Sequence, residues 1–196
     1  MAEIMEDAMR GLIVPGLNGS GPDHWQTLWE KRYGFEHVEQ YDWENPDVAV
    51  WVKTLDAAIM AHSEPAVLVA HSLGCFTVIL WAELYADHAN RVQSALLVAP
   101  PDIASSAAMP ASARGFAPHN PGKLPFPSIV VGSENDPYMK PEAAQELASA
   151  IGSRFVNAGL AGHINVDSGH GPWPQGEVLL QDLINKKSLD KWFSVI

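Results

Sequence analysis

Apolar residues in this chain follow two alternating rhythms. Short runs rich in Val, Ile and Leu mark strand candidates: "GLIVP" (11–15), "FEHVEQYDW" (35–43), "AVLVA" (66–70), "QSALLVA" (93–99), "PSIVVG" (127–132) and "SRFVNA" (153–158). Between them, apolar positions recur at helical spacing over about 22–33, 46–62, 73–87, 140–151 and 176–186. A strand-then-helix alternation of this kind predicts an α/β fold, here a six-stranded parallel sheet flanked by helices on both faces. Residues 100–127 interrupt it, because seven prolines in 28 residues cannot be built into regular helices. The segment is expected to form a long excursion loop where a parallel-sheet enzyme would carry a lid. It is too short and too broken for a cap domain, so the site beside it should be open.

At 196 residues the chain suits one domain over 11–196, preceded by a short N-terminal extension, 1–10. Twelve basic against 23 acidic residues give a net charge of -11, which repels nucleic-acid phosphates and anionic lipid and excludes a nucleic-acid role. The lone cysteine, Cys75, cannot form an internal disulfide, and "MAEIMEDAMR" has acidic residues where a signal peptide needs a basic start. A cytoplasmic protein, monomeric or weakly self-associating, is expected. The longest mostly apolar stretch, 73–82, falls short of the roughly 20 residues that cross a bilayer, so no membrane partner is expected.

Candidate chemistry begins at "AHSLG" (70–74). A bare Ala-or-Gly, x, Ser, x, Gly pattern arises by chance in roughly one chain in seven of this length. Here, however, Ser72 follows a buried-strand pattern and precedes a long apolar helix, which is the context of a nucleophile elbow. A turn that tight needs small residues two before and two after the serine, and Ala70 and Gly74 meet the need. The bland alternative is that Ser72 only caps the helix. Two later stretches weigh against it: "PSIVVGSENDPY" brings Asp136, and Glu134, to the end of one strand, and "FVNAGLAGHINV" brings His163 to the end of another. Serine, acid and histidine then occur in the chain order of α/β-hydrolases.

Through "PGLNGSGPDHWQ", "AHSLG", "ENDPY", "GHIN" and "GPWPQGE", residues 11–186 resemble the small serine hydrolases typified by retinoblastoma-binding protein 9 and bacterial YdeN-type proteins. The resemblance implies a compact α/β-hydrolase without the first two strands of larger relatives, no metal or organic cofactor, and Ser72, Asp136 and His163 as catalytic triad. It favours Asp136 over Glu134, and "GHIN" favours His163 over His170, which spacing hardly separates.

In that reading Ser72 attacks an acyl carbon, His163 takes and returns its proton, and Asp136 holds the imidazole tautomer. The backbone N–H groups of Leu73 and Leu17 are the expected oxyanion hole. Asn18, His24, Trp25 and Trp173 are candidate substrate contacts, although both tryptophans could equally serve the core. Phe116 and Phe126 are candidate acyl contacts. His71 adjoins Ser72, but strand-end neighbours point to opposite faces, so it should not reach the serine oxygen and its loss should spare most turnover. Cys75 lies inside an apolar helix with nothing nearby to lower its pKa, which excludes a thiol enzyme. The glycines at 16, 19 and 21 lack the Lys-Ser or Lys-Thr pair of a phosphate loop. The expected substrate is a small-molecule ester of a small to medium acyl group. An amidase or peptidase with the same triad, and an interaction protein that keeps the fold without using it, remain open.

Overall fold

A computed structural model describes residues 10–104, 109–118 and 121–185; the predicted extension, apart from Arg10, lies outside the described residues. Six parallel strands, β1 (Gly11–Val14), β2 (Glu36–His37), β3 (Ala66–His71), β4 (Val92–Val98), β5 (Ser128–Gly132) and β6 (Arg154–Asn157), form one sheet in the order β2-β1-β3-β4-β5-β6. Five helices connect or follow them: α1 (Trp25–Tyr33), α2 (Val48–Met60), α3 (Leu73–Leu84), α4 (Pro141–Ala150) and α5 (Pro174–Ile184). The six-stranded parallel sheet with helices on both faces expected from the sequence is the one observed.

Strand periodicity splits the core in two. Leu12, Val14, Leu68, Ala70, Ala95 and Leu97 face one side, where Trp51, Leu55 and Ile59 of α2 and Phe76 and Ile79 of α3 cover them. The alternate residues Ile13, Val67, Val69, Leu96 and Val98 face the other, against Trp25 and Trp29 of α1 and Leu180 and Leu183 of α5. Local signals set the helix ends. Asp47 caps α2 by accepting the Val50 N–H, Gly34 ends α1 in the left-handed region at φ 69°, and prolines open α4 and α5.

Two expectations need correction. The strand foreseen over 35–43 shrinks to Glu36–His37, because its partner β1 is itself only four residues long and offers register to just those two. Beyond them Asp42 turns the chain by accepting the amides of Glu44 and Asn45. Within the excursion loop, moreover, residues Ala111–Phe116 form a 3₁₀ turn packed onto the body of the protein. Phe116 is fully buried edge-on against Trp51 at 5.4 Å, and Phe126 packs near Trp81. Both belong to the α2/α3 core, so neither is an acyl contact.

Candidate active site

β1 and β3 are the neighbours at which connections leave in opposite directions, and parallel sheets collect their sites in the crevice beyond such strand ends. Ser72 stands there, between β3 and α3, with φ 53° and ψ -125°. An N-cap residue normally has extended backbone and a side chain bonded to the helix N–H groups. Ser72 has neither, since it makes no side-chain cap bond. Its hydroxyl is turned instead to His163, whose Nε2 lies 3.0 Å from Oγ.

Small residues flank Ser72 for a reason that reaches beyond the turn. A Cβ on Gly74 would lie 2.2 Å from the Val14 carbonyl oxygen and 2.6 Å from that of Pro15, so it is the end of β1 that demands glycine. A Cβ on Gly16 would lie 2.7 Å from Ser72 Cβ and 3.0 Å from the Leu73 nitrogen. The loop after β1 therefore passes in contact with the elbow, and Leu17 follows at once. Asn18 is exposed on this loop at φ 64°, its N–H donated to the Trp43 carbonyl at 3.0 Å.

On the opposite edge of the imidazole, His163 Nδ1 is 2.9 Å from Asp136 Oδ2 and 3.1 Å from Oδ1. The Asp136 side chain is only 2% exposed. Its Oδ1 also accepts the Tyr138 N–H at 2.9 Å, and the Tyr138 ring rests against the His163 ring with centroids 4.5 Å apart. Asp136, His163 and Ser72 are thus joined in one line of hydrogen bonds although they follow three different strands. A neutral imidazole so held can take a proton from the hydroxyl on one side while the carboxylate steadies the resulting charge on the other.

The rival residues sit elsewhere. Glu134 accepts the Asn157 Nδ2–H at 3.0 Å, away from His163. His170 pairs with Ser168 Oγ at 3.2 Å and lies edge-on to Trp173. Cys75 is buried, its Sγ 3.4 Å from the Val98 carbonyl, and burial pushes its thiol pKa well up.

Three of the four candidate substrate contacts are buried in the interior. Trp25 is fully buried, with Trp29 and Trp173 around it at 4.8 and 5.0 Å, and Trp173 is buried as well. Large apolar rings stabilise more by filling this α1/α5 core than by lining an open crevice. His24 is buried as the cap of α1, its Nδ1 accepting the Gln26 N–H at 3.2 Å, and desolvation, followed by the nearby His163, lowers its pKa to about 4. A cavity of about 420 Å³ opens instead beside Asp136, lined among others by Asp102, Tyr138 and Lys140.

Sequence reasoning missed the residues that hold the His163 loop. Ser133 Oγ accepts the Ala161 N–H at 3.0 Å, and Asn135 Oδ1 accepts the Gly162 N–H at 2.7 Å. His71 Nε2 donates to the His163 carbonyl at 2.9 Å and Trp25 Nε1 to the Ile164 carbonyl at 2.8 Å. As expected, His71 does not face the serine oxygen, but it does face the loop that carries the histidine, so the expectation that its loss spares turnover no longer follows from where it points. Proximity to Ser72 in "AHSLG" was the one available signal, and it pointed at the wrong atom.

No helix among the described residues is long and apolar enough to cross a membrane, and no group of His, Cys, Asp or Glu among them could hold a metal ion.

Comparison with solved structures finds the same architecture. A protein described as a YdeN-like hydrolase, from Pectobacterium atrosepticum, is 28% identical with a TM-score of 0.78, over 90% of each chain. The ydeN gene product of Bacillus subtilis is 20% identical with a TM-score of 0.69, over 89% of this chain and 98% of that one. The carboxylesterase CesB of Bacillus subtilis shares the fold at 14% identity and a TM-score of 0.62, over 92% of this chain and 85% of that one. Comparison with curated proteins gave no match. The family model for serine hydrolases matches residues 11–182, which takes in the strained serine and both of its hydrogen-bonded partners, and the chain belongs to that family of hydrolases.

Proposed function

We propose that the protein hydrolyses carboxylic esters of small to medium acyl groups through an acyl-enzyme on Ser72. The observation that carries this reading is the line of hydrogen bonds from Asp136 through His163 to a serine that has given up the helix-cap role. His163 Nε2 removes the proton as Ser72 Oγ attacks the ester carbonyl, and the tetrahedral oxyanion is received by the N–H groups of Leu73 and Leu17. On collapse the alkoxide leaves with the proton from His163. A water, deprotonated by the same nitrogen, then attacks the acyl-enzyme, and His163 returns that proton to Ser72 Oγ as the carboxylic acid leaves. The position of the hole is supported by the start of α3, whose free N–H groups and dipole favour negative charge there, and by the contact of the Gly16 backbone with the elbow.

The open crevice supports a small substrate. The Ala111–Phe116 turn of the excursion loop is packed onto α2 and α3 through Phe116, and the cavity beside Asp136 offers room for one arm of the ester. Of the four contacts first considered, exposed Asn18 is the one kept as a substrate contact. A lone, buried Cys75 fits a cytoplasmic enzyme.

A fluorophosphonate probe should label the protein once, at Ser72, and Ser72→Ala should abolish labelling. Nitrophenyl esters should turn over while matching anilides do not. Labelling that survives in Ser72→Ala would sink the nucleophile assignment, and anilide turnover equal to that of the ester would make the enzyme an amidase.

A further inference from the structure

The loop that presents His163 holds, at Ile164, a backbone conformation that this residue does not favour. Gly162 and Ile164, on either side of the histidine, both lie in the left-handed region, at φ 57° and φ 48°. For a β-branched residue such as Ile164 this is a true outlier, and it persists only where the surroundings enforce it. Two consecutive carbonyls of this segment are held by buried side-chain donors. His163 O accepts from His71 Nε2 at 2.9 Å, and Ile164 O accepts from Trp25 Nε1 at 2.8 Å.

A carbonyl oxygen only accepts, so His71 must carry its proton on Nε2. Its ring is also wedged between those of His24 and His163, each 4.9 Å away centroid to centroid, which fixes where the donor points. Burial, and then the neighbouring His163 and His24, keep the His71 pKa well below its usual value, so the ring stays neutral. Both donors are buried, so water does not compete for either carbonyl.

We propose that His71 and Trp25 are positioning residues: two fixed N–H donors that hold the carbonyls of His163 and Ile164 so that the strained loop places its imidazole between Asp136 and Ser72. Neither touches the reacting atoms. His71 also ties the base to the nucleophile, because one dipeptide at the end of β3 sends Ser72 toward the imidazole edge and His71 toward the backbone behind it. This inference rests on the reading of His163 as the catalytic base.

Three variants separate donor from bulk. His71→Phe keeps a ring without the N–H; His71→Gln places an amide N–H near the former Nε2; Trp25→Phe keeps an aromatic without Nε1. Each is assayed for kcat and KM on a nitrophenyl butyrate ester, for melting temperature, and for fluorophosphonate labelling. Displacing a reacting group by about 1 Å costs about 10²-fold, so His71→Phe should lose about that in kcat with KM within about twofold of native. His71→Gln should recover at least about tenfold of the loss, and Trp25→Phe should cost about tenfold in kcat. Rescue by Gln is the outcome that mere core packing does not predict. A His71→Phe protein with native kcat, or a Gln variant no better than Phe, overturns the proposal. Should His71→Phe fail to fold, Trp25→Phe carries the same test, and native kcat there overturns it. Failure of the underlying reading looks different: His163→Ala would then retain turnover, whatever the His71 variants do.

Discussion

Gly74→Ala sets two opposed effects against each other, and the structure decides between them. Gly74 lies in the first turn of α3, where replacing glycine by alanine would ordinarily favour the helix by up to about 1 kcal/mol. The new methyl, however, would sit 2.2 Å from the Val14 oxygen and 2.6 Å from the Pro15 oxygen, about 1.2 Å and 0.8 Å inside the roughly 3.4 Å of an ordinary contact. Both obstacles are backbone, and neither can swing aside like a side chain. Relief requires α3 and the end of β1 to separate by about 1 Å, and such overpacking costs about 1–3 kcal/mol. The net expectation is a loss of about 1–2 kcal/mol, read as a melting temperature lower by about 3–6 °C. Activity should suffer more. The same shift moves Ser72 and the Leu73 N–H away from the loop that carries Leu17, and a 1 Å misplacement at a reacting centre costs about 10²-fold in kcat. Gly122→Ala is the control, because its methyl would meet nothing within 4 Å. Thermal unfolding and ester kinetics on the two variants test the reasoning, which fails if Gly74→Ala melts with the native protein and turns over within about twofold of it.

His163→Ala should lower ester turnover by about 10⁴-fold or more, while His170→Ala and Glu134→Gln stay near native; an inactive His170 variant would mean that the wrong histidine has been assigned. Stability to urea should rise with pH between about 4 and 6.5, because His24, at about 4 when folded and 6.5 when not, binds its proton more readily in the unfolded chain. That histidine alone contributes about 3 kcal/mol that is complete above pH 6.5 and lost toward pH 4, with His71 acting in the same direction. His37, raised mainly by its hydrogen bond to Glu30, opposes it at one half-buried surface pair. A urea midpoint that is flat or falls from pH 4.5 to 7 would contradict this sign. On esters of graded length, eight-carbon acyl groups should do no better than four-carbon ones, since affinity follows burial and the Ala111–Phe116 turn of the excursion loop is packed on α2 and α3. A rate that climbs steadily with length would show a tunnel.

What could be read from the sequence, and what could not, follows from how the site is assembled. β3, β4 and β5 were plain because strands buried on both faces are continuous apolar runs. The edge strand β2 was overestimated because aromatic and β-branched residues recur in "FEHVEQYDW" beyond the point where its pairing with β1 has ended. The elbow was legible because its strand, serine and helix are contiguous in the chain. Aromatic residues gave one signal for two fates: Trp25, Trp173 and Phe116 are as large and apolar in a core as in a pocket wall, and only their neighbours across the fold distinguish the cases. The holders of the His163 loop were hidden for a related reason. His71 and His163 are 92 positions apart, and Trp25 and Ile164 are 139 apart, so no local period records either contact. The chain thus announces a side chain that must stand at a strand end, because turn sterics restrict its neighbours. It stays silent about donors that reach across from another strand, because a buried histidine or tryptophan meets no local rule whichever carbonyl it serves. Positions such as Gly74 lie between the two cases: the turn explains a small residue there, but the need for glycine comes from the carbonyls of Val14 and Pro15, some 60 residues earlier in the chain.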